Sequence, residues 1–406
     1  MDDLALFGGA PVRSEPYPHW PDWDDTERNG LLEVLDSGRW WSSQGTKVKE
    51  FESAWASFCG VDETIAVTNG THAIEVALLG LGIGAGDEVI VTDYTFLASA
   101  SAVATVNAIP VLVDVDPSTF CIDVDAVEAA ITPRTRAVVA VHLAGHPADL
   151  DRLTALCDRH DLVLIEDCAH AHGSEWNGVP VGGHGDAGTF SFQQSKLMTA
   201  GEGGAITVRD AAAAEQVRSF SDCGRRKGEW FYSHFVLGGN YRMTEWQGAV
   251  LLAQLGRFPD WNERRNKNAL TLNDSLARIP GVVPQHRDAR VTSQGYYCYV
   301  VRIDEETFGA PRDAVREALL AEGMSLTMSY PSVHLLDVFA DQMLAPRHRD
   351  LTGWPDYRTL DLPVTRDLAA TSLWFNHNTL MAEDADDVVE AMAKVQRNAS
   401  KLRGRT

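Results

Sequence analysis

An α/β protein built on a largely parallel sheet is the fold class that this 406-residue chain predicts. Three observations carry that reading. From Glu63 to about Val208, short β-branched apolar runs alternate with segments whose apolar residues recur at helical spacing. The runs are continuously apolar rather than alternating, as in a sheet covered on both faces. After about Gln254 the alternation stops, and a long polar-faced helical stretch leads into a region of mixed character.

Taken in order, the first twenty residues are rich in Gly and Pro and read as an arm, residues 1–20, that packs on another surface. The strands expected next are ETIAV, EVIVT, PVLVDV, RAVVAVH and LVLIEDC. The helices between them are HAIEVALLGLG, FLASASAVATV, DVDAVEAAI and DLDRLTALCDRH. Together they predict a large domain over residues 21–255. The segment LGRFPDWNERRNKNALTLNDSLARI then reads as a linking helix. It is followed by the strand YYCYVVRI and by helices through PRDAVREALLAEG and EDADDVVEAMAKV, which predicts a smaller α+β domain over residues 256–406. Gly80, Gly82, Gly84 and Gly86 mimic a dinucleotide fingerprint. They follow a helix and precede a strand, the reverse of the order that motif requires, so they read as a helix end and turn.

Composition excludes several function classes. The net charge of −22 disfavours a nucleic-acid backbone or an anionic membrane surface as partner. No run approaches the roughly 18 apolar residues of a membrane span. The start, MDDLALFGGAPVR, lacks the basic and apolar regions of a signal peptide. Six scattered cysteines without a CxxC pair read as reduced, mostly buried thiols of a cytoplasmic protein.

Ligands of such sheets bind beyond the carboxyl ends of the strands, so the polar residues there matter most. Asp167 closes LVLIED, where a carboxylate after four apolar residues needs a partner. Thr68-Asn69-Gly70-Thr71 ends ETIAV and opens a helix, whose free amides and dipole favour a phosphate. Phe96 sits just past EVIVT, where a ring could stack on a flat ligand, and Ser191 ends another short strand. Five positions on, Lys196 stands between that strand and the loop Gly201-Glu202-Gly203-Gly204. A phosphate site, a stacking ring, a strand-end carboxylate and a lysine on a glycine loop are what pyridoxal 5′-phosphate needs. The lysine forms the Schiff base, and the carboxylate keeps the pyridine nitrogen protonated. Desolvation and a cationic neighbour would lower the lysine pKa for its work as nucleophile and base.

These motifs carry a resemblance that runs nearly end to end. SGRWW, VTNGTHA, GDEVIVTDYTF, VHLAGHPADL, LIEDCAHAHGS, FSFQQSKLMTAGEGGA, GGNYRMTEWQGAVLLAQL and YPSVHLLDVF occur in one order. In them the chain resembles the sugar and cyclitol aminotransferases of DegT/StrS type, a branch of the fold type I pyridoxal-phosphate enzymes. The resemblance implies Lys196 as the Schiff-base lysine, Asp167 as the pyridinium partner and His170 as a contact to the cofactor ring or its phenolic oxygen. It implies that Phe96 stacks on the ring and that Gly70, Thr71 and Ser191 hold the phosphate. Asn240 would reach the phosphate across a homodimer interface, so that two subunits share each site. Tyr330 and His334 lie where the family shapes the substrate entrance, and Arg225, Arg226 and Arg242 are candidates for carboxylate or phosphate contacts.

Members in which histidine replaces the lysine are dehydratases; this chain keeps lysine, which implies transamination. The motifs are most similar to those of 3-amino-5-hydroxybenzoate synthases and inosose aminotransferases, while LWFNHNTL departs from the HH pair expected in both. The expected reaction moves an amino group from Gln or Glu to the ketone of a cyclic polyol. The alternatives are a nucleotide-activated keto-sugar as acceptor, an accompanying dehydration, or a regulator on the same fold. A metal hydrolase built on the pairs His142/His146 and His170/His172 lacks an HExxH spacing and leaves Lys196 unexplained, so no metal is expected.

Overall fold

The computed structural model describes residues 3–341, 353–383 and 385–404. Helices α1 (Asp25–Ser37) and α2 (Lys47–Cys59) come first. Strands β1 (Glu63–Val67), β2 (Glu88–Thr92), β3 (Ile109–Val113), β4 (Thr135–Val141) and β5 (Val163–Asp167) then alternate with α3 (Gly70–Gly80), α4 (Ala98–Thr105), α5 (Val124–Ala130) and α6 (Leu150–His160). Two short strands, β6 (Glu175–Trp176) and β7 (Val179–Pro180), pair with each other. After them come β8 (Ala187–Ser191), β9 (Gly204–Val208) and α7 (Ala211–Ser221).

The main sheet has seven strands in the order β1-β9-β8-β5-β4-β2-β3. All neighbours are parallel except β9, which runs antiparallel to both β1 and β8. Parallel pairing needs a crossover element, and residues 192–203 between β8 and β9 contain no helix, so the chain turns straight back. Lys196 rides on that turn.

Period-two alternation explains the two covered faces. Ile65, Val67, Val89, Val91, Ala137 and Val139 pack with α3, α4 and α7 on one side. On the other, Ile90, Val138 and Ala140 meet α5 and α6, while Ala66, Phe190 and Ala205 meet α2 and the following helix.

That helix, α8 (Glu245–Leu276), is continuous for 32 residues. Thr244 and Gln247 form its capping box. It therefore begins ten residues before the expected linking helix and runs through positions 255 and 256, with Pro259 carried inside it. Beyond it, β10 (Val282–Pro284), β12 (Cys298–Ile303), β13 (Leu326–Thr327) and β14 (Ser372–Asn376) form an antiparallel sheet in the order β10-β12-β14-β13. Strand β11 (Val291–Ser293) leaves this region to pair with β6. Helices Arg312–Ala321 and Asp386–Arg397 cover the four-stranded sheet.

The N-terminal arm packs on this second sheet's core. Leu4 is fully buried in it. The amides of Ala5 and Val12 donate to the two carboxylate oxygens of Glu322, at 2.9 and 3.1 Å, and Lys394 Nζ binds the same group at 2.8 Å. The arm ends at Trp20, whose indole N–H donates to the Gln194 carbonyl at 2.9 Å, two residues from Lys196.

Candidate active site

The carboxyl ends of β1, β2, β5 and β8 converge on a cavity of about 600 Å³. Eight residues singled out in the sequence line it: Gly70, Thr71, Phe96, Asp167, His170, Ser191, Lys196 and Tyr330. Asp167 is buried at the last position of β5. Its Oδ2 accepts from Ser99 Oγ at 2.7 Å, and Oδ1 accepts from the amide of Ala169 at 3.1 Å.

Behind Asp167, the preceding residue points to the opposite face of the strand and anchors it. Glu166 is fully buried. Its Oε2 lies 3.0 Å from His142 Nε2 and accepts from the Gly182 amide at 2.9 Å. Its Oε1 accepts from the amides of His184 and Gly185, both at 2.8 Å. His142 Nδ1 accepts from the Ala148 amide at 3.0 Å, which fixes the proton on Nε2 and makes that nitrogen the donor to Glu166. Burial alone would push the Glu166 carboxyl up, but His142 and the surrounding donors outweigh it and hold it below the usual value. Cys168 Sγ lies within 4.8 Å of these groups, but both His142 nitrogens and both Glu166 oxygens are already engaged. The cluster is a hydrogen-bonded knot beneath the site, and the His142 amide ties it to the Asp167 carbonyl at 3.1 Å.

Lys196 is partly buried, and its amine lies 4.4 Å from the centre of the Tyr297 ring. Burial pushes the amine down to about 8, against the pull of Asp167 and Cys298. The loop around it is pinned by Ser195, whose Oγ and amide both donate to Gln193 Oε1, at 2.7 and 2.8 Å. His170 stacks on Tyr297 with ring centres 4.0 Å apart, and its Nε2 lies 3.0 Å from the Tyr330 hydroxyl. Burial, with Lys196 and His172 nearby, holds His170 well below the ordinary histidine value, so the ring is neutral. His170 Nδ1 is buried without a partner among the described residues.

Opposite, α3 starts beside the end of β8. Asn69 caps the helix by accepting from the His72 amide at 2.8 Å, which leaves the first-turn amides of Gly70 and Thr71 without an intrahelical acceptor. A side chain at Gly70 would place its Cβ 2.7 Å from Ser191 Cβ, so glycine is what lets the helix start and the Ser191 hydroxyl share one cradle. Phe96 is 58% exposed at the rim, its ring centre 6.1 Å from that of Tyr330.

Five candidates lie elsewhere. His334 does not line the cavity: it is 1% exposed, its Nδ1 lies 2.7 Å from Asp93 Oδ2 and its amide donates to Asp93 Oδ1 at 2.7 Å. It fastens the segment carrying Tyr330 to the residue after β2. Asn240 is exposed and absent from the lining. Arg225, Arg226 and Arg242 instead line a separate cavity of about 770 Å³, where Arg225 and Arg242 pair with Asp222 at 3.0 and 2.6 Å. Sequence reasoning missed Ser99, Gln193, Ser195 and Tyr297. Ser99 had a legible signal, since it opens a helix at the end of β2; Tyr297 arrives from the second sheet and had none.

The DegT/DnrJ/EryC1/StrS aminotransferase family matches residues 21–393. The chain belongs to that family. An L-glutamine:2-deoxy-scyllo-inosose aminotransferase of Streptoalloteichus tenebrarius is 40% identical over 423 residues, covering 98% of this chain and 99% of that protein. The crystal structure of 3-amino-5-hydroxybenzoic acid synthase superposes with a TM-score of 0.86 at 35% identity, over 98% of this chain and 100% of that one. That of DesI in the presence of its TDP-sugar product superposes at 0.84 with 33% identity, over 100% and 97%. The protein is thus an aminotransferase on the fold of the pyridoxal-phosphate enzymes, and pyridoxal 5′-phosphate is its cofactor. The Gly70–Ser191 cradle, the strand-end carboxylate and the amine facing a neutral His170 fit that group.

Proposed function

We propose that this aminotransferase moves the amino group of L-glutamine to the ketone of a cyclitol ring. The observation that carries the acceptor class is the charge of the cavity. Among its lining residues Lys196 is the one cation, because burial lowers both His72 and His170. The rest of the polar lining is hydroxyl, amide and carboxylate, Thr95, Gln193, Ser195, Glu202, Tyr297 and Tyr330 among them. Such groups suit an uncharged polyol. A nucleotide-activated keto-sugar would bring a diphosphate to a wall with no cation left to meet it. The inosose substrate named for the Streptoalloteichus relative is of the polyol kind.

The roles follow from position. Gly70, Thr71 and Ser191 would hold the cofactor phosphate, and Phe96 would cover the ring. Asp167, held by Ser99 and the Ala169 amide, would face the pyridine nitrogen as an anion and keep it protonated. When bound, the cofactor supplies an electron sink for the carbon that loses a proton. Lys196 would hold the cofactor and, when freed, would take and return that proton; an amine that ionises near 8 suits both tasks at neutral pH. Neutral His170 offers Nδ1 to the ring's substituents. Tyr330 orients His170, and His334 positions Tyr330 from behind.

We also place the working unit as a homodimer in the cytoplasm. Asn240 is exposed and does not line its own subunit's cavity, and Trp230, Tyr232 and Leu237, a few residues before it in sequence, are exposed as well, the last 97% accessible. Large apolar side chains left exposed along one short segment are what a subunit interface would cover. A second copy seated there would receive Asn240 beside its own cradle, while Arg225 and Arg242 stay paired with Asp222. The six free cysteines suit a reducing compartment.

The test is spectroscopic, then chemical. Protein with pyridoxal phosphate should show a visible band that Lys196→Ala abolishes and that L-glutamine bleaches. The charged protein should then aminate 2-deoxy-scyllo-inosose and leave a nucleotide-diphosphate keto-sugar untouched. Turnover of the nucleotide sugar alone overturns the acceptor class, and full activity in Lys196→Ala overturns the mechanism.

A further inference from the structure

We propose that Tyr297, delivered by the second domain, is the positioning residue of the reactive amine: its ring face holds Lys196 whenever that amine is not covalently bonded. The proposal rests on the reading of Lys196 as the reactive amine and goes beyond it, because Tyr297 lies on a different domain from every cofactor contact assigned above.

Four observations place Tyr297 in that role. The Lys196 amine lies 4.4 Å from the ring centre, within cation–π range. Among the described residues it forms no ion pair; Asp167 attracts it from beyond ion-pair distance, and the ring is the group it touches. The ring is itself clamped, stacked on His170 at 4.0 Å with planes 17° apart. Finally, the Tyr297 hydroxyl lies 3.0 Å from Ser195 Oγ. Ser195 spends its own proton on Gln193 Oε1, so Tyr297 is the donor in that pair. The chain Tyr297 to Ser195 to Gln193 therefore squares the ring against the loop that carries Lys196. The His377 ring, 6.5 Å from Tyr297, meets Trp20 of the arm edge-on at 4.7 Å.

The chemistry needs such a group. In each half-reaction Lys196 is displaced, must remain within reach, and must return. A long flexible side chain left free would lose that reach to rotamer entropy. A ring face holds it weakly enough to release, favouring the ammonium form without the fixed geometry of an ion pair. Asp167 from β5, His170 and His172 from the turn after it, Cys298 from β12, Glu202 from the loop before β9 and Tyr330 also face this space. None of these groups is itself substituted when Tyr297 alone is changed.

The test uses the cofactor-free protein, so it does not depend on turnover. Competitive acetylation with acetic anhydride across pH, read on the Lys196 peptide by mass spectrometry, gives the ionisation midpoint of that amine. Lys196→Ala identifies the peptide. In Tyr297→Leu the midpoint should fall, the ionisation constant changing roughly three- to thirty-fold. Tyr297→Phe keeps the ring and should keep the wild-type midpoint. Tyr297→Met is the second ring-free variant should Leu prevent folding, as judged by circular dichroism. With cofactor, the ring-free variants should lose kcat about ten-fold with KM nearly unchanged, the mark of an amine out of place. An unchanged midpoint in the ring-free variants overturns the proposal. So does a rise, which would mean that water entry governs the amine, and so does an equal shift in Tyr297→Phe, which would assign the effect to the hydroxyl. Failure of Lys196 as the catalytic amine would show separately, as activity surviving in Lys196→Ala.

Discussion

Replacing Glu166 by glutamine changes one oxygen into an NH₂ and should unfold much of what holds the site. The carboxylate accepts four donors, two on each oxygen: His142 Nε2 and the Gly182 amide on one, the His184 and Gly185 amides on the other. Whichever side the new NH₂ takes, it faces two N–H groups and can accept from neither. His142 cannot relieve the conflict by moving its proton, because Nδ1 already accepts from Ala148. Two hydrogen bonds to a charged group are lost, at about 1.5–3 kcal/mol each. Relief from burying the charge offsets part of that, leaving a net loss of about 2–5 kcal/mol. Urea denaturation of the cofactor-free protein, followed by circular dichroism and tryptophan fluorescence, measures it. The gap to wild type should also depend on pH. The folded carboxyl is held below its ordinary 4.5, so its stabilisation is complete above that value and disappears as pH falls through the lower folded value. A loss under about 1 kcal/mol at neutral pH would refute the argument that the knot carries a buried anion.

Other outcomes follow from the same geometry. Asp167→Asn should retain cofactor but turn over at least about 10²-fold more slowly, since an amide cannot hold a cation at the ring nitrogen; stopped-flow spectra with L-glutamine check it. Covalent capture of pyridoxal phosphate by the cofactor-free protein requires the neutral amine, so its rate should rise with pH through a midpoint near 8 rather than the ordinary 10.5. Gly70→Ala puts a Cβ 2.7 Å from Ser191 Cβ and should weaken cofactor binding about ten-fold or more, read by equilibrium titration. Sedimentation of Trp230→Ser/Leu237→Ser should show monomer with little activity; a fully active monomer would refute the shared site.

The strands nearest the site were legible because burial on both faces makes them continuously apolar, and ETIAV and EVIVT match β1 and β2 residue for residue. The direction of β9 was not, since it depends on the missing crossover between β8 and β9 rather than on any feature of GAITV. The start of α8 was placed ten residues late although Thr244 and Gln247 carried the capping signal; Gly248, set against the backbone of α2, masked it. In the cavity, Lys196, Asp167 and Ser191 announced themselves as polar residues at the ends of apolar runs. Tyr297 could not, because its place beside Lys196 is a contact across about a hundred residues of chain, set by how the second sheet docks. His334 shows the converse: its neighbourhood in sequence is that of Tyr330, yet its partner is Asp93.

The arm gives the two ends of the chain a practical connection to the chemistry. Leu4 is seated in the core of the second sheet, Glu322 grips the backbone on either side of the glycines, and Trp20 holds the carbonyl two residues from Lys196. Residues 3–20 are therefore a strap stretched from that core to the loop that carries Lys196. Whatever loosens that strap is felt first at the backbone that carries the lysine, through the single bond from Trp20.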